Sequence, residues 1–164
     1  MKMAMSIPSK ENKNYYLAGP MSGIPQFNYP AFYRIAKKLR NMGYEIQSPA
    51  EMDTSAEQEA AMASPDGNIA NFTSKSGSTW GDILAKDVKL VADKVDGIIA
   101  MPTWYKSRGA RLEVFVANLC RKPVWVFDEV TSNFHQLDYF ELWDGISGEK
   151  KEEQKPVEAV TKRA

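Results

Sequence analysis

An α/β sandwich built on a mostly parallel sheet is the architecture this sequence predicts, and three observations carry that expectation. Tyr15-Tyr16-Leu17-Ala18, Gly97-Ile98-Ile99-Ala100-Met101 and Val124-Trp125-Val126-Phe127 are continuous apolar runs, the pattern of strands buried on both faces. Between them lie segments whose apolar residues recur at helical spacing, so strands and helices alternate along the chain. The length, 164 residues, suits one core and is short for two ordinary domains.

Tyr15 to Ala18 runs into Gly19-Pro20-Met21-Ser22-Gly23, a stretch of turn formers that reads as a tight loop after the first strand. Asn28 and Pro30 signal a helix start, and Phe32, Ile35, Ala36, Leu39 and Met42 form an apolar stripe that Gly43 stops. The expected helix spans Pro30 to Met42, and Tyr44 to Ser48 is the expected second strand. Residues 53–81 are small and polar, with Pro65-Asp66-Gly67 as a turn signal. They read as an insertion or mobile lid with a short helix near Ala56 to Met62. Ile83, Leu84, Val88, Val91 and Val95 mark a second major helix from Trp80, and Ala110, Val114, Phe115, Ala117 and Leu119 a third from near Arg108. Thr131 to His135 reads as a loop entering a late helix. The expected domain covers residues 15–143, between a flexible N-terminus (1–14) and a solvated, disordered tail (144–164) rich in Glu and Lys. The whole predicts a compact three-layer sandwich of flavodoxin-like or Rossmann-like type.

Charge excludes some functions. Lysine plus arginine balance aspartate plus glutamate at 21 each, so no overall positive field attracts a polymeric nucleic acid. Cys120 is the single cysteine and His135 the single histidine. An internal disulfide, a cysteine metal cage and a multi-histidine metal site are therefore ruled out. No apolar run approaches a membrane span and the N-terminus has no apolar signal core, so a soluble, cytoplasmic protein is expected. Chemistry, if present, rests on carboxylates, hydroxyls and backbone, with no metal or cofactor.

In open parallel sheets ligands bind beyond the carboxyl ends of the strands, which directs attention to Gly19 to Gly23 and Met101 to Gly109. Glu113 lies in the first or second turn of the helix after the second of these segments, on a face shared with Ala110 and Ala117. It reads either as a solvent-facing glutamate complementing the helix dipole or as a carboxylate held ionised at the ligand. Asp87 falls on the apolar stripe of its helix, four residues from both Ile83 and Val91, where a charge needs a partner or a task. Lys86 and Lys89 are candidate partners. The first loop, with Gly19, Met21, Ser22 and Gly23, suits either a plain turn or a backbone cradle for an anion. In the third-strand loop, Ser107 is a candidate phosphate ligand, and Trp104 a stacking surface for a base or an edge of the core.

Taken together, Tyr16-Leu17-Ala18-Gly19-Pro20-Met21-Ser22-Gly23, then Asp87 ahead of Asp96-Gly97-Ile98-Ile99-Ala100-Met101, then Ser107-Arg108-Gly109-Ala110-Arg111-Leu112-Glu113 resemble the nucleoside 2-deoxyribosyltransferase-like superfamily. The resemblance implies Glu113 as nucleophile, Asp87 as the acid serving the departing base and Tyr16 as the tyrosine that orients the nucleophile. In its branch of 2′-deoxynucleoside 5′-monophosphate N-hydrolases, the first loop and the Ser107–Gly109 segment bind the phosphate. Ser107 stands where many transferases carry a base-reading acid, which favours the hydrolase branch. Ser22 stands where the hydrolases often carry an arginine, which speaks against it. The partner implied is a small deoxynucleotide or deoxynucleoside, and the assembly implied is a homodimer or higher homo-oligomer. Two rivals are a nucleoside-monophosphate phosphoribohydrolase, whose Pro-Gly-Gly-x-Gly-Thr-x-x-Glu signature is absent, and a non-enzymatic nucleotide-binding protein.

Overall fold

A computed structural model describes residues 6–148. Five strands form one sheet in the order β2-β1-β3-β4-β5. They are β1 (Asn14–Ala18), β2 (Glu45–Gln47), β3 (Gly97–Ala100), β4 (Val124–Asp128) and β5 (Asn133–Gln136). The first four pair in parallel, with Tyr16 opposite Gln47 on one side and Ile98 on the other. The fold is thus the expected three-layer sandwich, and strand order reverses between β1 and β3, which opens a crevice at their carboxyl ends.

Alternation along β1 divides the core. Tyr15 and Leu17 face one layer with Ile99, Trp125 and Phe127, where they pack on α1 (Tyr29–Asn41). Tyr16 and Ala18 face the other layer with Ile98 and Ala100, under α5 (Trp80–Asp93), α6 (Arg108–Leu119) and α7 (Tyr139–Ser147). Both faces of β1 and β3 are buried, which is why these strands read as unbroken apolar runs. Among the described residues no helix is long and apolar enough to cross a membrane.

Three departures from expectation have physical causes. Thr131 to His135 is not a loop leading to a helix: Asn133–Gln136 is β5, antiparallel to β4, with Phe134 opposite Phe127. Only Phe134 of its four residues is buried, so its sequence carries no usable alternation. The segment expected as a polar insertion holds the expected short helix, α3 (Ser55–Met62), and also α4 (Ile69–Ser76), after a short α2 (Pro49–Met52). α3 starts at a reciprocal cap between Thr54 and Glu57. Ala60, Ala61 and Phe72 enter the α1-side core, so this segment is part of the domain's packing. At the ends, Pro8 is buried and the Tyr15 hydroxyl donates to the Ser9 carbonyl at 2.7 Å, fastening part of the expected flexible arm. α7 carries the domain to Gly148; the rest of the expected tail lies outside the described residues.

One contact of α7 is easily tested. A Cβ on Gly145 would stand 2.3 Å from two atoms of the Trp104 ring, which is 1% exposed. Gly145→Ala therefore forces α7 off Trp104 at a cost of about 1–3 kcal/mol. The expected result is a lower denaturant midpoint at unchanged slope.

Candidate active site

A cavity of about 330 Å³ occupies the crevice beyond β1 and β3. Its floor is a buried pair. The Tyr16 hydroxyl, carried by β1 toward α6, donates to Glu113 Oε1 at 2.8 Å. Tyr16 is fully buried and Glu113 is 8% exposed, its side chain reaching the cavity. Asp87, half-buried on α5, lines the same cavity.

Burial raises both acids. Glu113 lies well above the ordinary carboxylate range because it is desolvated and repelled by Asp87, while the Tyr16 hydrogen bond pulls the other way. Asp87 is pushed up to about 7 by desolvation; Lys86 opposes this, and Asp53 and Glu57 add to it. Tyr16, desolvated and facing Glu113, keeps its proton and is held as a donor. This corrects one expectation: Glu113 is the sixth residue of α6, beyond the first turn where the helix dipole acts, so the helix does not hold it ionised. The two acids resist ionising together and behave as one coupled pair.

The two flanking loops supply further lining. Gly19, Met21, Ser22 and Gly23 line the cavity, as do Lys106, Ser107, Arg108 and Gly109. Ser107 is the N-cap of α6, its Oγ accepting from the Ala110 amide at 3.2 Å. Its hydroxyl proton remains to be donated. Two cationic side chains and the start of a twelve-residue helix thus converge on one wall, an arrangement suited to an anion. The first loop contributes less backbone than expected, since the Gly23 amide donates to the Gly67 carbonyl at 2.9 Å. Gly67 sits at φ +67°, where a Cβ would lie 2.3 Å from the Ile24 carbonyl oxygen, so glycine is what allows this closure.

Nine of the ten residues singled out from the sequence are brought together here. The exception is Trp104, which lies within the layer under α7 and does not line the cavity. An indole at the first residue of the turn after β3 points to whichever layer packs it, and Gly145 leaves room for it there.

The sequence reading missed the third wall. Phe27, Tyr29, Asp53, Ile69, Phe72 and Trp80 all line the cavity. Phe27 is delivered by three consecutive left-handed residues, Gln26, Phe27 and Asn28, a conformation that side-chain-bearing residues adopt only when held. The Gln26 amide bonds the Ser64 carbonyl at 2.8 Å and the Asn28 side chain bonds the Pro20 carbonyl at 2.9 Å. Asp53 accepts from the Tyr29 hydroxyl and pairs with Lys86 Nζ at 2.5 Å, while the same Nζ lies 3.3 Å from Glu57. The Thr54-x-x-Glu57 cap was the available sign that ordered structure begins beside Asp53.

Comparison with curated proteins and with solved structures returns no match. A family model does match, over residues 13–126, a span that takes in Tyr16, both loops, Asp53, Asp87 and Glu113. The chain belongs to the family described as a domain of unknown function, DUF4406.

Proposed function

We propose that this protein cleaves the N-glycosidic bond of a 2′-deoxynucleoside 5′-monophosphate. The observation that carries the reading is the buried Tyr16–Glu113 hydrogen bond facing Asp87 across one cavity. The resemblance to nucleoside 2-deoxyribosyltransferase-like enzymes supports it. Two carboxyl groups sharing a proton can divide the roles of nucleophile and acid. A Glu113 oxygen bonds to C1′ as the C1′–N bond breaks, and the departing nitrogen takes its proton from Asp87. The positive charge developing at C1′ and the Tyr16 hydroxyl draw the negative charge onto Glu113, which leaves the proton with Asp87. Water then adds its hydroxyl to C1′, the ester to Glu113 breaks, and Asp87 recovers a proton. The products are free base and deoxyribose 5-phosphate. A homo-oligomer belongs to the same proposal.

Incubation with a panel of deoxynucleoside 5′-monophosphates and deoxynucleosides, with and without a second free base, tests this. Free base without exchange supports hydrolysis; exchange into a new nucleoside indicates base transfer; tight binding with neither indicates a nucleotide-binding protein.

The phosphate wall makes a sharper expectation. Ser107→Ala should raise KM for monophosphates by roughly ten-fold, the scale of one hydrogen bond to a charged group, and leave nucleosides unaffected. It also removes the α6 cap, at about 1 kcal/mol, so a lower Tm should accompany it. Equal KM effects on both substrate types would remove Ser107 from phosphate binding.

A further inference from the structure

Resting on the function proposed above, we infer that Asp53 reads the base, and that the base it selects carries an exocyclic amino group: an aminopurine or aminopyrimidine in preference to its oxo counterpart.

The third wall is poor in hydrogen-bonding groups. With the phosphate on the Lys106–Gly109 side and the sugar at Glu113, the base is left against the wall built by α4, the start of α5 and the segment around Asp53. Ile69, Phe72, Ile83 and Leu84 form most of it and offer no hydrogen bonds. They accept the flat faces of an aromatic ring. Tyr29 lines the cavity, but its hydroxyl proton is donated to Asp53. Lys86 is drawn off the wall between Asp53 and Glu57 and does not line the cavity. Trp80 carries an N–H but is 38% exposed.

The inner polar group of this wall is therefore Asp53, with 11% of its side chain exposed. A carboxylate offers about four acceptor sites. Tyr29 takes one on Oδ2 and Lys86 one on Oδ1, so each oxygen retains an acceptor site. An amino group placed there is satisfied by a charge-assisted bond. A carbonyl oxygen placed there meets a negative acceptor, and neither group finds a proton, the situation in which sites discriminate most strongly. The ion pair with Lys86 and the hydrogen bond from Tyr29 fix the orientation of Asp53.

The test compares matched pairs that differ at this group: dCMP with dUMP, and dAMP with dIMP. Dissociation constants are measured by calorimetry on the intact protein, alongside base release. Wild-type protein should bind the amino member of at least one pair ten-fold or more tightly, and Asp53→Asn, which supplies donor and acceptor alike, should bring the members within about three-fold. Should Asp53→Asn fail to fold, Tyr29→Phe takes its place: it removes the bond that orients Asp53, so the preference should shrink, and an unchanged preference there overturns the inference. Equal binding of both members by wild-type protein, a preference for the oxo members, no binding to any of the four, or an unchanged preference in Asp53→Asn overturns the inference. Amino-selective binding without base release would sink the hydrolase reading and leave this one standing. Base release without selectivity would do the reverse.

Discussion

Glu113→Gln should lower base release by several orders of magnitude while the protein remains folded. An amide cannot form the ester to C1′, so the loss is that of a nucleophile and not of a contact. Glutamine is the cleaner substitution, because its carbonyl oxygen still accepts from the buried Tyr16 hydroxyl. Alanine would leave that hydroxyl without a partner and add roughly 1–3 kcal/mol of destabilisation to the readout. The stability of the glutamine variant carries a second expectation. A buried acid whose folded pKa is raised binds more protons folded than unfolded, so it makes stability fall as pH climbs above its ordinary value. Glu113→Gln removes that slope. Its Tm should match or exceed wild type at pH 8, with a smaller difference at pH 5. Single-turnover chromatography and melting curves across this range check both, and near-normal turnover would take Glu113 out of the reaction.

Asp87→Asn should reduce the rate about 10²- to 10⁴-fold on bases that leave only when protonated, the range of general acid catalysis. Bases that depart without a proton should be spared most of the loss. The wild-type pH profile follows from the raised pair. Activity requires one proton between Asp87 and Glu113, so both limbs lie above the ordinary carboxylate range, and the rate falls as pH rises and that proton is lost. In the asparagine variant the alkaline limb should vanish, since no titrating acid remains beside the base. A variant that loses its fold yet keeps the wild-type rate per folded molecule would make Asp87 a structural partner of Lys86 instead.

The two acids at the cavity were legible in the sequence because each stands out there: Asp87 interrupts an apolar stripe, and Glu113 shares a face with small residues. Strands β1, β3 and β4 were legible because burial leaves each an unbroken apolar run, with polar residues only at the ends, Asn14 in β1 and Asp128 in β4. β5 was not, since a four-residue edge strand with one buried side chain has nothing to repeat. α4 was hidden for a related reason: Phe72 is its single buried residue, and the rest, Ala70, Asn71 and Thr73 to Ser76 among them, resembles a loop in composition. Asp53 looked ordinary because its importance comes from Lys86 and Tyr29, which lie 33 and 24 residues away. The upward shift of the Glu113 carboxyl was also out of reach. It depends on depth beneath the surface, and helix position alone pointed the other way.

The main-chain ties between Gly23 and Gly67 and between Gln26 and Ser64 bear on how the cavity opens. A door hinged on its own would swing from flexible ends while the frame stayed still. Here the frame is sewn to the door: the loop after β1 and the stretch before α4 share backbone hydrogen bonds, so neither can depart while both remain made. Entry and exit would then proceed by a joint local unfolding of residues from the two segments, a single cooperative unit assembled from parts some forty residues apart in the chain. A ligand bound against the loop after β1 would hold that unit shut, and its release would wait on a backbone event.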